Sequence, residues 1–168
     1  MEAAFDPRAP AAEAVRANVT SPMKMRAFLG AKLPLALFAG LKVTELTANG
    51  CAVTVPYGWR TQNPFRSTYF AAQAMAAEMS TGALGLALVQ SSPKPMSMLI
   101  VGMTADFSKK ADKTLTFRCA DGPAVTEAFR EALETGKGTK VTCTAVGTLP
   151  EGTVASTFTF TWSFKRKG

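Results

Sequence analysis

Residues 67–90 read STYFAAQAMAAEMSTGALGLALVQ, an alanine-rich run in which Glu78 is the only charged residue. Alanine and leucine favour helix, and Ser67 or Thr68 stands where an N-cap is wanted. A helix that is apolar around most of its circumference belongs inside a fold. Gln73, Glu78, Ser80 and two glycines interrupt the run and strand-like sequence surrounds it, so a membrane span is not expected. At helical spacing Glu78 has Ala71, Ala74, Met75, Gly82 and Gly85 as neighbours, mostly small, so a backbone or a slim ligand can approach it. A buried carboxylate must be paired, hydrogen-bonded or protonated. Desolvation raises its pKa, which suits a general base working near neutrality. The alternative is a scaffold role, with Glu78 bonded to a strand backbone or paired with Arg60 or Arg66.

Outward from this helix the chain alternates helix and strand signals. Residues 1–10 read as a frayed tail, 11–20 as a short helix, and Ser21-Pro22 as the cap and first turn of a second helix that Pro34 should break. LKVTELT and CAVTVPY flank Asn49-Gly50, a hairpin signature. Asn63-Pro64 marks a loop. MSMLIVGMTADFSKKA reads as a long strand with TLTFRCA as its hairpin partner, and PAVTEAFREALETG as a helix stopped by Gly136. KVTCTAVGTL and TVASTFTFTWSF close the chain as strands joined by a turn at residues 150–152. In the last of these, Phe158, Phe160, Trp162 and Phe164 alternate onto one face that should be buried. The fold class is α+β, an antiparallel sheet with a helix against one face.

Composition narrows the chemistry. The 168 residues suit one domain, with residues 1–40 as an N-terminal helical extension. Histidine is absent, which removes Ser-His-Asp and Cys-His nucleophiles and His-metal sites. The net charge of +7 is scattered apart from Lys109-Lys110 and the terminal Lys165-Arg166-Lys167, and no aromatic-rich basic ribbon suggests nucleic-acid binding. Charged residues make up only 18%, which points to surface covered by a partner. Cys51, Cys119 and Cys143 are far apart, form no CxxC pair and lie in strand-like runs, so buried thiols are expected rather than a disulfide or metal ligands. The N-terminus lacks the pattern of a signal peptide, and the expected location is cytoplasmic.

RTQNPFRSTYFAAQAMAAE, residues 60–78, resembles the hotdog-fold acyl-CoA thioesterases of the phenylacetyl-CoA type, and within them an uncharacterised branch known as a domain of unknown function. That group carries an Asn in a loop, His-Gly-Gly at a helix start, and Asp or Glu eight residues after the first glycine. Here Asn63, Phe70 and Glu78 stand in the same register, and the order of elements from Leu41 onward fits a hotdog, a curved sheet of about six antiparallel strands around a central helix. The resemblance implies Glu78 as general base or nucleophile, the Phe70 backbone N–H as oxyanion donor and Asn63 as orienting group. It also places Tyr69, Ala71 and Thr81 at the substrate and Lys109 and Lys110 near the coenzyme phosphates. Tyr69 replaces the His, and Phe70-Ala71 replaces the Gly-Gly that admits the thioester, which narrows the site or closes it.

The implied substrate is an acyl-CoA or acyl-carrier thioester, with no cofactor beyond the substrate's own coenzyme A and no metal. The implied assembly is a homodimer or a dimer of dimers, since a hotdog protomer leaves an edge strand open. Two other readings stand beside hydrolysis: a non-catalytic hotdog that binds acyl groups or lipids, and an assembly module with a vestigial site.

Overall fold

The computed structural model describes residues 5–168; the first four residues of the expected tail lie outside it. The rest of that tail is anchored, because Phe5 packs its ring 5.0 Å from that of Phe129. Helices α1 (Pro10–Thr20), α2 (Pro22–Lys32) and α3 (Pro34–Ala39) each open on a proline in the first turn, where the missing N–H costs nothing. Strands β1 (Lys42–Leu46) and β2 (Cys51–Val55) follow as the hairpin that Asn49-Gly50 announces. Helix α4 (Phe70–Gln90) precedes β3 (Met96–Phe107) and β4 (Leu115–Cys119), then α5 (Gly122–Thr135), β5 (Thr139–Thr148) and β6 (Val154–Arg166).

All six strands join one antiparallel sheet in the order β1-β2-β4-β5-β6-β3. The expected β3–β4 hairpin does not form. A twelve-residue strand gains little from a five-residue partner, and β3 instead pairs along its whole length with the thirteen residues of β6. Freed from β3, β4 fills the gap between β2 and β5.

The sheet curls over α4. Phe158, Phe160, Trp162 and Phe164 turn inward from β6 and are buried, each contributing about 1.5–3 kcal/mol as a buried large side chain. The alternate residues face outward and bond one another through hydroxyls, Thr104 to Thr159 at 2.6 Å and Thr142 to Thr161 at 2.9 Å. Buried Ala72, Ala76, Ala77, Ala83 and Ala87 let the sheet and α1, α3 and α5 approach α4 closely. This is the α+β hotdog arrangement expected from the sequence. Among the described residues, no helix is long and apolar enough to cross a membrane.

The start of α4 departs from expectation. Tyr69 is the N-cap residue and no side chain caps the helix, whereas the hydroxyls of Ser67 and Thr68 both donate to the carbonyl of Ala111. Those two residues run alongside the segment after β3, so their hydroxyls serve that contact instead. Ser21 likewise occupies the N-cap position of α2 without a side-chain bond.

Candidate active site

Helix α4 carries two potential functional groups, at its start and in its middle. At the start, the N–H groups of Phe70 and Ala71 donate to no protein group among the described residues. Free amides at the positive end of a long helix suit an anion or a developing oxyanion. The rings of Tyr69 and Phe70 stand over this end, half exposed and edge-to-face with centroids 4.7 Å apart.

The loop before α4 is built on Asn63. Its side-chain oxygen accepts the N–H groups of Phe65 and Ser67, at 3.0 and 3.1 Å, in an Asx-type turn that carries Arg66 at φ 58°. The oxygen is therefore committed to holding the loop, which leaves the amide N–H₂ as the group Asn63 can offer a ligand. Lys109 and Lys110 are exposed, immediately before Ala111, whose carbonyl accepts the backbone N–H of Thr68. The structure thus brings Asn63, Tyr69, Phe70, Ala71 and the lysine pair to one end of α4.

Glu78 is elsewhere. Eight residues of helix separate it from Phe70, a rise of about 12 Å at 1.5 Å per residue. It lines an apolar cavity of about 640 Å³ between the N-terminal helices and the sheet, with Val19, Phe28, Met79, Met98 and Trp162 among the walls and Lys24 and Lys32 also lining it. That volume is in the range of small-molecule sites. Among the described residues the carboxylate accepts no hydrogen bond and forms no ion pair. The scaffold role with Arg60 or Arg66 is not what the side chain does. Burial raises the Glu78 pKa from its ordinary 4.5.

Two neighbours shape the helix around Glu78. A Cβ on Gly82 would lie 3.0 Å from both Glu78 Oε1 and the Trp162 ring, so glycine is what admits both groups there. Thr81 is fully buried; its hydroxyl donates to the Glu78 backbone carbonyl at 2.9 Å and accepts the Trp162 indole N–H at 3.0 Å. Its oxygen therefore positions the helix and the indole and makes no bond to the carboxylate.

Sequence spacing did not reveal a second cluster. Cys119 and Asp121, two residues apart, and Cys143 from β5 bring two thiols and a carboxylate oxygen within 4.8 Å of one another. Burial, helped by Cys119 and Glu45, pushes the Cys51 thiol up to about 12. A hydrogen bond with Cys119, then burial and the nearby charges, raises Cys143 further.

A curved antiparallel sheet wrapped around a central helix defines the hotdog fold. The chain belongs to the family described as a domain of unknown function, DUF4442, whose model matches residues 23–163. No curated protein matches it in sequence. Among solved structures it is similar to a Pseudomonas aeruginosa protein of unknown function called a probable thioesterase, at 18% identity over 89% of this chain and 99% of that one, TM-score 0.71. A Chlorobaculum tepidum protein of unknown function gives 14% identity over 90% and 99%, TM-score 0.72. A Haemophilus influenzae thioesterase gives 12% over 86% and 90%, TM-score 0.63.

Proposed function

We propose that the protein hydrolyses the thioesters of acyl-CoA or acyl-carrier substrates, with Glu78 as general base or nucleophile. The observation that carries this reading is the Glu78 carboxylate itself. Among the described residues it stands without a partner in a largely apolar cavity, an arrangement that costs stability and needs a functional reason. As a base, Glu78 takes a proton from water while the oxygen adds to the thioester carbonyl. The oxyanion rests on the free amides at the start of an α4 helix. The C–S bond then breaks, and the thiolate leaves with the proton from Glu78. The reaction needs no cofactor beyond the coenzyme A of the substrate.

One protomer cannot present Phe70 N–H and Glu78 to the same carbonyl, given the rise between them. A second copy resolves this. Strand β3 is an edge strand whose Leu99, Val101 and Met103 are exposed, and the nearby Phe65, Tyr69 and Phe70 add more uncovered apolar surface. Two β3 strands paired antiparallel about a two-fold axis lie end for end. The Met98 end adjoins the Glu78 cavity, and the Phe107 end leads to the lysine pair and the start of α4. The Phe70 amide and Lys109-Lys110 of one copy would then complete the site of the other, the lysines facing the coenzyme phosphates. The free thiols suit a reducing cytoplasm.

The test is a hydrolysis screen across acyl-CoA chain lengths, with mass spectrometry of any ligand retained through purification. Turnover that Glu78→Gln lowers by about 10²–10⁴ supports the reading. A retained acyl group with no turnover favours the acyl-binding alternative, which the Tyr69 and Phe70 rings over the helix start also suit.

A further inference from the structure

At the far side of the sheet from β3, the β1–β2 hairpin, the end of β4 and the start of α5 meet around a cleft of about 760 Å³. Cys51, Cys119 and Asp121 line it; none of its lining residues lines the Glu78 cavity. The crowding is tight. Gly122 donates its N–H to the Asn49 carbonyl, and a Cβ there would collide with the backbone of Ala48 and Asn49. That contact fixes Asp121 at the N-cap of α5, where its Oδ2 accepts the Thr144 N–H at 2.7 Å instead of capping the helix.

We propose that Cys119, Asp121 and Cys143 form a site for a thiophilic divalent metal ion of the zinc class. Cys119 Sγ lies 3.5 Å from Asp121 Oδ2. Tetrahedral zinc, with Zn–S of about 2.3 Å and Zn–O of about 2.0 Å, sets sulfur and oxygen ligands about 3.5 Å apart. The Cys143 sulfur lies within 4.8 Å of both atoms, so the three donors need only small adjustments to close on one ion. The Thr144 N–H on the carboxylate is the outer hydrogen bond that orients a metal ligand. The fourth position can go to water from the cleft or to Cys51, which the β2–β4 register sets directly opposite Cys119. Two thiolates select a soft or borderline ion over magnesium or calcium. Binding converts two thiols to thiolates, forms two metal–sulfur bonds and one metal–oxygen bond, and releases two protons to solvent. No oxidation state changes.

The experiment uses the full chain, reduced with a phosphine and stripped with a chelator, then titrated with Co²⁺ and back-titrated with Zn²⁺. A sulfur-to-metal charge-transfer band that saturates at one equivalent and is displaced by Zn²⁺ is expected. Cys143→Ser should abolish the defined endpoint. Because a core serine can unfold the chain, Asp121→Asn is the second variant: it keeps the volume and an oxygen for Thr144, and should weaken binding by at least about 10-fold with circular dichroism unchanged. A titration without a stoichiometric endpoint, or an Asp121→Asn protein that binds like the parent, overturns the site. So does formation of a Cys119–Cys143 disulfide under mild oxidation in protein that takes up no metal.

Discussion

The Trp162 indole N–H donates to the Thr81 hydroxyl across 3.0 Å, tying β6 to the turn of α4 that follows Glu78. The same hydroxyl donates to the Glu78 carbonyl, so one buried oxygen sets both the strand-to-helix distance and the backbone from which the carboxylate projects. Thr81→Val keeps the shape and leaves the indole N–H without an acceptor, a loss worth about 1–3 kcal/mol. The denaturation midpoint should fall with the slope unchanged. Turnover should fall less than in Glu78→Gln, because the indole shifts while the base remains. Equal losses in the two variants would show that Thr81 acts in the chemistry directly.

Gly82→Ala tests how closely Glu78 is held. In an exposed helix this change stabilises by about 1 kcal/mol. Here the added carbon meets Glu78 Oε1 and the Trp162 ring at 3.0 Å, so the helix gain should be cancelled and the carboxylate displaced. The expected outcome is an unchanged or lower midpoint with a clear fall in kcat. An alanine variant that is more stable and equally active would show that the carboxylate swings freely.

Much of the fold was legible because its signals are local. Asn49-Gly50, Pro22 in a first helical turn, Pro34 as a break, Gly136 at φ 73° and the alternation of aromatics in β6 each fix structure within a few residues. Strand pairing across long separations was not. Nothing in residues 96–107 says that their partners lie 49 to 70 positions on, and the short strand after them is the nearer choice. The cysteine cluster was hidden for the same reason: only the β2–β4–β5 adjacency brings Cys51, Cys119 and Cys143 to one end of the sheet. Glu78 could be singled out because a charge in an apolar helix stands out in any arrangement. Its separation from Phe70 follows from helix rise alone.

The edge strand gives a third test. Leu99 and Met103 are exposed on β3 and would face a second copy of the strand. Leu99→Lys with Met103→Lys sets like charges across the two-fold axis and should yield a monomer by light scattering with its circular dichroism retained. Turnover should drop with the dimer, since each site would draw on both copies. A fully active monomer would refute the shared site, and a parent protein already monomeric at micromolar concentration would refute the assembly.

The pH dependence of Glu78 links stability to activity. Burial raises its folded pKa above the unfolded value, so the native state holds a proton more tightly than the unfolded chain. Stability from this group is complete below the unfolded pKa and is lost as pH climbs through the folded one. Above its folded pKa the parent therefore bears the cost of a charged, desolvated carboxylate that Glu78→Gln does not. The variant should gain stability relative to the parent as pH rises above the ordinary 4.5, and the gain should vanish below it, where the parent's carboxyl is protonated in both states. Turnover should behave in the opposite sense. If Glu78 acts as base or nucleophile in its ionised form, kcat rises with pH to a plateau, with a midpoint above the ordinary 4.5 of a free glutamate. The same ionisation then governs both curves, and the two midpoints should agree in the free enzyme when kcat/KM is plotted. A stability difference that ignores pH, or a rate profile with no inflection above 4.5, would remove Glu78 from the reaction.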